Sequence, residues 1–112
     1  MQDAKFLVAG GKATVTVSIF PGGTGGVLAN VNRWRSQIGL ATVDEAGLAT
    51  LLAPLDLPGT KANLVDMKGP EKRMVAAIVP RGGETWFFKL LGEPAAVEAE
   101  KQGFVEFVTT AK

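Results

Sequence analysis

The stretch Thr14-Val15-Thr16-Val17-Ser18-Ile19-Phe20 alternates polar and apolar side chains without a break. A β-strand sends successive side chains to opposite faces, so this pattern predicts a strand with one face on a core and the other toward water. Phe6-Leu7-Val8-Ala9 precedes it, and Gly10-Gly11-Lys12 between the two reads as the turn of a hairpin. The chain is thus expected to open with two antiparallel strands.

Pro21-Gly22-Gly23-Thr24-Gly25-Gly26 ends that pattern, and helical spacing follows from Val27 to Ile38. Val27, Val31, Trp34 and Ile38 fall in one narrow arc of a helical wheel with Leu28 at its edge, while Asn30, Arg33 and Gln37 fall opposite. This is an amphipathic helix ending near Gly39. A second, shorter helix is announced by Thr42-Val43-Asp44-Glu45, read as a capping box with Thr42 as the cap, and it should stop by Ala53, before Pro54. Three strands are then expected over Lys61 to Lys68, Arg73 to Val79 and Thr85 to Leu91. The turns between them are short, which requires antiparallel pairing, because a parallel crossover needs about a dozen residues or more. Met74 to Val79 is apolar on both faces, and so is much of Trp86 to Leu91, which places these strands centrally under helices. Glu93-Pro94 opens a last helix whose stripe is Val97, Phe104, Phe107, Val108 and Ala111. The predicted order is ββααβββα, an α+β fold built on a mainly antiparallel sheet between helices.

A length of 112 residues matches one domain spanning 1–112, and 46% hydrophobic with 21% charged residues is ordinary globular composition. Twelve basic against eleven acidic residues give a net charge of +1, which provides no general attraction to nucleic acid. Cys and His are both absent. That removes thiol nucleophiles, Ser-His-Asp relays, imidazole bases and zinc sites built on N or S ligands, leaving carboxylate, Lys, Ser and Thr chemistry. No catalytic residue, cofactor or metal site is assigned. No apolar run is long enough for a transmembrane helix, and Met1 to Lys5 lacks the basic and then apolar regions of a signal peptide.

Two segments together resemble a known group. Phe20-Pro21-Gly22-Gly23, leading through Gly26-Val27-Leu28-Ala29-Asn30-Val31-Asn32-Arg33-Trp34-Arg35, resembles a stretch of uncharacterised bacterial proteins, many of them lipoproteins. Met74 to Pro80, then Thr85-Trp86-Phe87-Phe88-Lys89-Leu90 and an apolar terminal helix, is similar to the end of the same proteins. They look like the PsbP-like superfamily, which includes an extrinsic photosystem II subunit, a Ran-binding nuclear import factor and cell-envelope proteins. The resemblance implies an α/β/α sandwich, a non-catalytic scaffold and an extracytoplasmic location, periplasmic or lipid-anchored. It transfers no site residue.

The Gly-rich loop between strand and helix has the setting of a phosphate cradle, but no Lys-Ser or Lys-Thr follows its last Gly, and Leu28 stands where a dinucleotide fingerprint needs Gly. Gly23, Thr24, Gly25 and Gly26 are candidate contacts for an anion or partner, against the reading as a flexible connector. Arg35 projects between Leu28 and Val31, where a guanidinium must be paired, hydrogen-bonded or stretched to the surface, or else anchor a ligand's carboxylate or phosphate. Asn30, Asn32 and Arg33 form a polar face, either simply solvated or a contact surface. Trp34 and Trp86 fall within apolar patterns and are expected in the core, and Glu98 and Lys101 are spaced to pair on the last helix. These readings converge on a non-enzymatic binding or accessory domain of the cell envelope, monomeric or weakly dimeric. Its contact would be an unidentified protein or small ligand, held in a helix-sheet cleft or on the Gly loop and Asn-Arg helix. The alternatives are a small enzyme using carboxylate, Lys or Thr groups, and a structural subunit of an envelope assembly.

Overall fold

The computed structural model describes residues 4–21, 27–57 and 60–110. Two strands open the chain, β1 (Ala4–Val8) and β2 (Ala13–Pro21), joined by a 3-10 turn over Ala9–Gly11. Helices α1 (Val27–Gln37) and α2 (Glu45–Leu51) follow. Strands β3 (Ala53–Leu57), β4 (Thr60–Lys68), β5 (Arg73–Arg81) and β6 (Glu84–Gly92) complete a six-stranded sheet, and α3 (Pro94–Thr110) closes the described chain. The sheet order is β1-β2-β6-β5-β4-β3 and every neighbouring pair is antiparallel. The architecture is α+β and fits a sandwich class.

The order departs from ββααβββα by one element, since β3 stands between α2 and β4. Pro54 argues against a strand when the sequence is read alone, because proline cannot donate to a ladder. Among the described residues β3 is an edge strand paired only with β4, so one side of its backbone needs no partner. The cap of α2 also differs. Asp44, not Thr42, is the N-cap, its carboxylate accepting from the Gly47 amide at 2.8 Å. Asp and Thr are both good caps, and the one that satisfies the third amide of the actual first turn prevails.

Alternation along the central strands divides the core in two. Val75, Ala77, Val79, Phe88 and Leu90 join Val15 and Val17 in one cluster, with Val97, Phe104 and Val108 of α3. Met74, Ala76, Ile78 and Phe87 join Val65 and Met67 in the other, with Val31, Trp34 and Ile38 around α1 and Leu48 of α2. On α3 the buried positions are Ala96, Val97, Phe104 and Val108. Phe107 stays partly exposed at the rim, its ring edge-on to Phe88 at 5.8 Å, and Ala111 lies outside the described residues.

Two glycine positions fix the sheet ends. The β5–β6 hairpin turns on Gly82 and Gly83, both at positive φ (52° and 86°), as a two-residue turn matched to strand twist requires. Between β4 and β5, a Cβ on Gly69 would lie 2.1 Å from the Ile38 carbonyl oxygen, so only glycine lets this turn pass beneath the end of α1.

Candidate functional site

The Asn-Arg segment of α1 is largely occupied in building its own surroundings. Gly39 stands at positive φ after the helix, the Leu40 amide donates back to the Arg35 carbonyl at 2.8 Å, and the Gly39 amide donates to Ser36. This pair of hydrogen bonds closes the C-terminus of α1. The Arg35 side chain adds to it, Nε donating to the Ala41 carbonyl at 2.7 Å. Asn32 brackets Val43, with Nδ2 donating to its carbonyl at 2.9 Å and Oδ1 accepting from its amide at 2.8 Å. Asn32 and Arg35 together hold the connection to α2.

Asn30 departs from the sequence reading. It is buried rather than on an exposed polar face, and its Oδ1 accepts from the guanidinium of Arg33, which remains exposed. Of the stripe Asn30, Arg33 and Gln37, Asn30 alone is turned under the helix, while Arg33 and Gln37 are exposed and Gln37 also lines a cleft. Gly23, Thr24, Gly25 and Gly26 lie outside the described residues.

That cleft is a candidate site, with a volume of about 270 Å³, lined by Lys5, Thr14, Thr16, Gln37, Met74, Lys89 and Leu91. Strand register explains how it is assembled. Lys5 is opposite Thr16, and Thr16 is opposite Lys89, so these three form one row across β1, β2 and β6. Leu7, Thr14, Leu91 and Met74 form the next row on the same face. On β4, β5 and β6 this face carries the apolar cluster under α1 and α2. On β1 and β2 it carries Lys5, Thr14 and Thr16 beside exposed Leu7, and Phe20 near the end of β2 packs on Phe87.

Lys89 is the unusual member. It sits between Phe87, which is buried, and Leu91 on the covered face, half-buried, with Nζ 5.7 Å from the centre of the Trp34 ring. Burial pushes its pKa down, and the nearby positive charge of Arg33 pushes in the same direction. Among the described residues, no carboxylate pairs with Lys89 or Lys5. The sequence signal for Lys89 is its interruption of the apolar run Trp86 to Leu91. Lys5, Thr14 and Thr16 carry no such signal, because polar residues in an alternating strand look solvent-facing.

The opposite face holds a contrasting charged group. Arg73, 5% exposed, donates through Nε and Nη2 to Asp66 at 2.9 and 2.6 Å, and Nη1 lies 3.5 Å from Glu98. Lys101 of α3 reaches the same Asp66 at 2.9 Å. The Arg73 bonds, together with Lys101, hold the Asp66 carboxyl at about 2 against the cost of burial. Glu98 and Lys101 therefore take partners from the sheet rather than each other, since Arg73 and Asp66 offer them bonds at the less solvated helix-sheet junction.

The two tryptophans also part. Trp34 is fully buried, edge-on to Phe87 at 5.4 Å, as expected of a core residue. Trp86 is half-buried, stacked on Phe88 with the Arg81 guanidinium 4.9 Å from its ring, and its buried Nε1 donates to nothing among the described residues.

Among the described residues, no helix is long and apolar enough to cross a membrane. No protein-family model matches the chain, and no curated protein matches it. Among solved structures, the chain is similar to PA94 of Pseudomonas aeruginosa, a protein of unknown function whose description proposes a regulator. The two share 17% identity and a TM-score of 0.57, over 100% of this chain and 83% of the other. At that identity the likeness is one of fold.

Proposed function

We propose that this chain is a non-enzymatic binding or accessory domain of PsbP-like fold, an α/β/α sandwich of the bacterial cell envelope, with the cleft between α1 and strands β1 and β2 as its contact surface. One observation carries the choice of surface. Among the described residues, the apolar cluster under α1 and α2 takes in Phe20 of β2 but none of Lys5, Thr14 and Thr16, which with Lys89 floor a recess. A domain that needed only to fold would gain nothing from a half-buried lysine that, among the described residues, has no carboxylate partner on that face. The envelope assignment is supported by the resemblance carried in Phe20 to Arg35. Asn32 and Arg35, the polar residues of that stretch that tie down the loop, serve to position α1 above the cleft rather than to touch a ligand.

The test is retention. The immobilised chain and a Thr16→Trp variant, whose indole would fill the recess on a strand that tolerates aromatics, are equilibrated with native extract. Bound proteins and small molecules are then identified by mass spectrometry. Retention by the native chain and loss from the folded variant is the expected result. Equal recovery by both would discard the cleft as the contact surface, and chemical conversion of a retained molecule would replace the binding reading with an enzymatic one.

A further inference from the structure

We propose that the cleft binds a small amphiphilic oxyanion, with a carboxylate or phosphate head between Lys5 and Lys89 and a short aliphatic body over Met74 and Leu91. This rests on reading the cleft as the contact surface and names the chemistry it takes.

The head site follows from the row Lys5, Thr16, Lys89. Strands lie about 4.8 Å apart, so the two lysines start from backbone positions roughly 10 Å apart and flank a hydroxyl. Their flexible stems can converge on one oxyanion while Thr16 donates to it from below and the Gln37 amide from the α1 side. Lys89 is held in place for this. Its stem lies among side chains of the covered face, and its ammonium rests near the Trp34 ring, so little freedom is lost when an anion arrives. The field is favourable as well, because Arg33 adds positive charge nearby and, among the described residues, no carboxylate neutralises either lysine. On the other face of this sheet, by contrast, buried Arg73 and partly buried Lys101 both have a carboxylate partner in Asp66.

The body site follows from the adjacent row. Met74 and Leu91 present apolar surface to the same recess, beside Thr14. A free inorganic anion would leave that surface uncovered. At about 270 Å³ the cleft is near the small end of ligand pockets and suits a molecule of about ten heavy atoms rather than a nucleotide.

Hexanoate, hexyl phosphate, inorganic phosphate and 1-hexanol are the probes. The chain has two tryptophans, so a Trp86→Phe variant leaves Trp34, beside Lys89, as the one emitter. Hexanoate or hexyl phosphate should change its emission saturably, with the tighter of the two identifying the head group. Lys89→Met should weaken that binding at least tenfold and Lys5→Ser severalfold, whereas Lys61→Ser, away from the cleft, should leave it unchanged. Lys89→Gln serves if the Met variant fails to fold by circular dichroism.

Equal binding of 1-hexanol, a response reproduced by sodium chloride at matched ionic strength, or undiminished binding by a folded Lys89 variant would overturn the proposal. Inorganic phosphate binding as tightly as hexyl phosphate would overturn the role given to Met74 and Leu91. Extract material lost from Thr16→Trp but kept by Lys89→Met would leave the contact surface standing and remove the oxyanion. No saturable response to any probe, with equal retention by native chain and Thr16→Trp, would remove both.

Discussion

On the α3 face of the sheet, Arg73 is buried and bracketed by Asp66 and Glu98, whereas on the α1 face Lys89 lies half-buried beside Trp34 with no carboxylate among the described residues. Both cations sit on central strands, one on each side of the same hydrogen-bonded ladder. The difference is in what each costs to keep. Desolvation of Arg73 is offset by a two-pronged bond to Asp66, and Lys101 adds a second bond to that carboxylate. Lys89 carries its desolvation with, among the described residues, an aromatic ring and no carboxylate to offset it. A saturated group of charges is part of how a fold coheres, and an unsaturated one is a place where something outside the fold can bind.

The largest effect should come from breaking the saturated side. Asp66→Ala leaves Arg73 buried with only the longer contact to exposed Glu98, and removal of one partner of a buried pair costs about 3 kcal/mol. Urea denaturation should show this as a lower midpoint at unchanged slope. Asp66→Leu combined with Arg73→Met should recover most of the loss, since an apolar pair of similar volume needs no desolvation offset. If the double variant were as unstable as the single one, the group would be stabilising through packing and not through charge.

Acid should reveal the same pair more gently. The Asp66 carboxyl is at about 2 in the folded chain and ordinarily 3.8, so its ionised form is favoured by folding. Its contribution is therefore fully present above about pH 4 and is lost as pH falls toward 2. Because solvent reaches one side of Asp66, the amount is about 1–2 kcal/mol rather than the full value of the shift. Denaturation midpoints between pH 5 and 2 should fall by that amount more in the native chain than in the Asp66→Leu/Arg73→Met variant. Lys101→Met, which removes the outer and partly exposed partner, should cost about 1 kcal/mol or less.

The unequal legibility of the two regions has a physical cause. Thr14 to Phe20 reads directly as a strand because alternation is a local property of backbone geometry, α1 is legible by the matching helical period, and β4, β5, β6 and the Pro94 start of α3 are legible from apolar runs, short turns and a proline at a first helical position. β3 is not, since its only pairing is with β4 and local composition argues against it. The charged groups are harder still. Asp66, Arg73, Glu98 and Lys101 are brought together by the β4–β5 register and the placement of α3, and spacing along one helix suggested the pair Glu98 and Lys101 instead. The cleft depends on Lys5, Thr16 and Lys89 meeting across three strands drawn from opposite ends of the chain. Asn30, Arg33 and Arg35 stood out because polar residues on an amphipathic helix are visible to periodicity, and all three turn out to bond within the helix and its following loop.

The smallest effect on stability, and the sharpest contrast with Asp66→Ala, belongs to Lys89→Met. The substitution keeps the unbranched stem, removes a desolvated charge and ends its repulsion with Arg33, while giving up an aromatic contact of comparable size. These terms nearly cancel, and the expected outcome is stabilisation of about 0.5 kcal/mol in dilute buffer. Adding a ligand that binds only the folded chain should then separate the two proteins. The native chain gains stability as the logarithm of ligand concentration, reaching about 1.4 kcal/mol at ten times the dissociation constant, where Lys89→Met, binding at least tenfold more weakly, gains about 0.4 kcal/mol or less. Measured as denaturation midpoints with and without hexanoate or hexyl phosphate, this crossing of curves is what an unpaired cation awaiting a partner must produce. Destabilisation by 2 kcal/mol or more in plain buffer would place Lys89 in the same structural role as Arg73 and remove the contrast between the two faces.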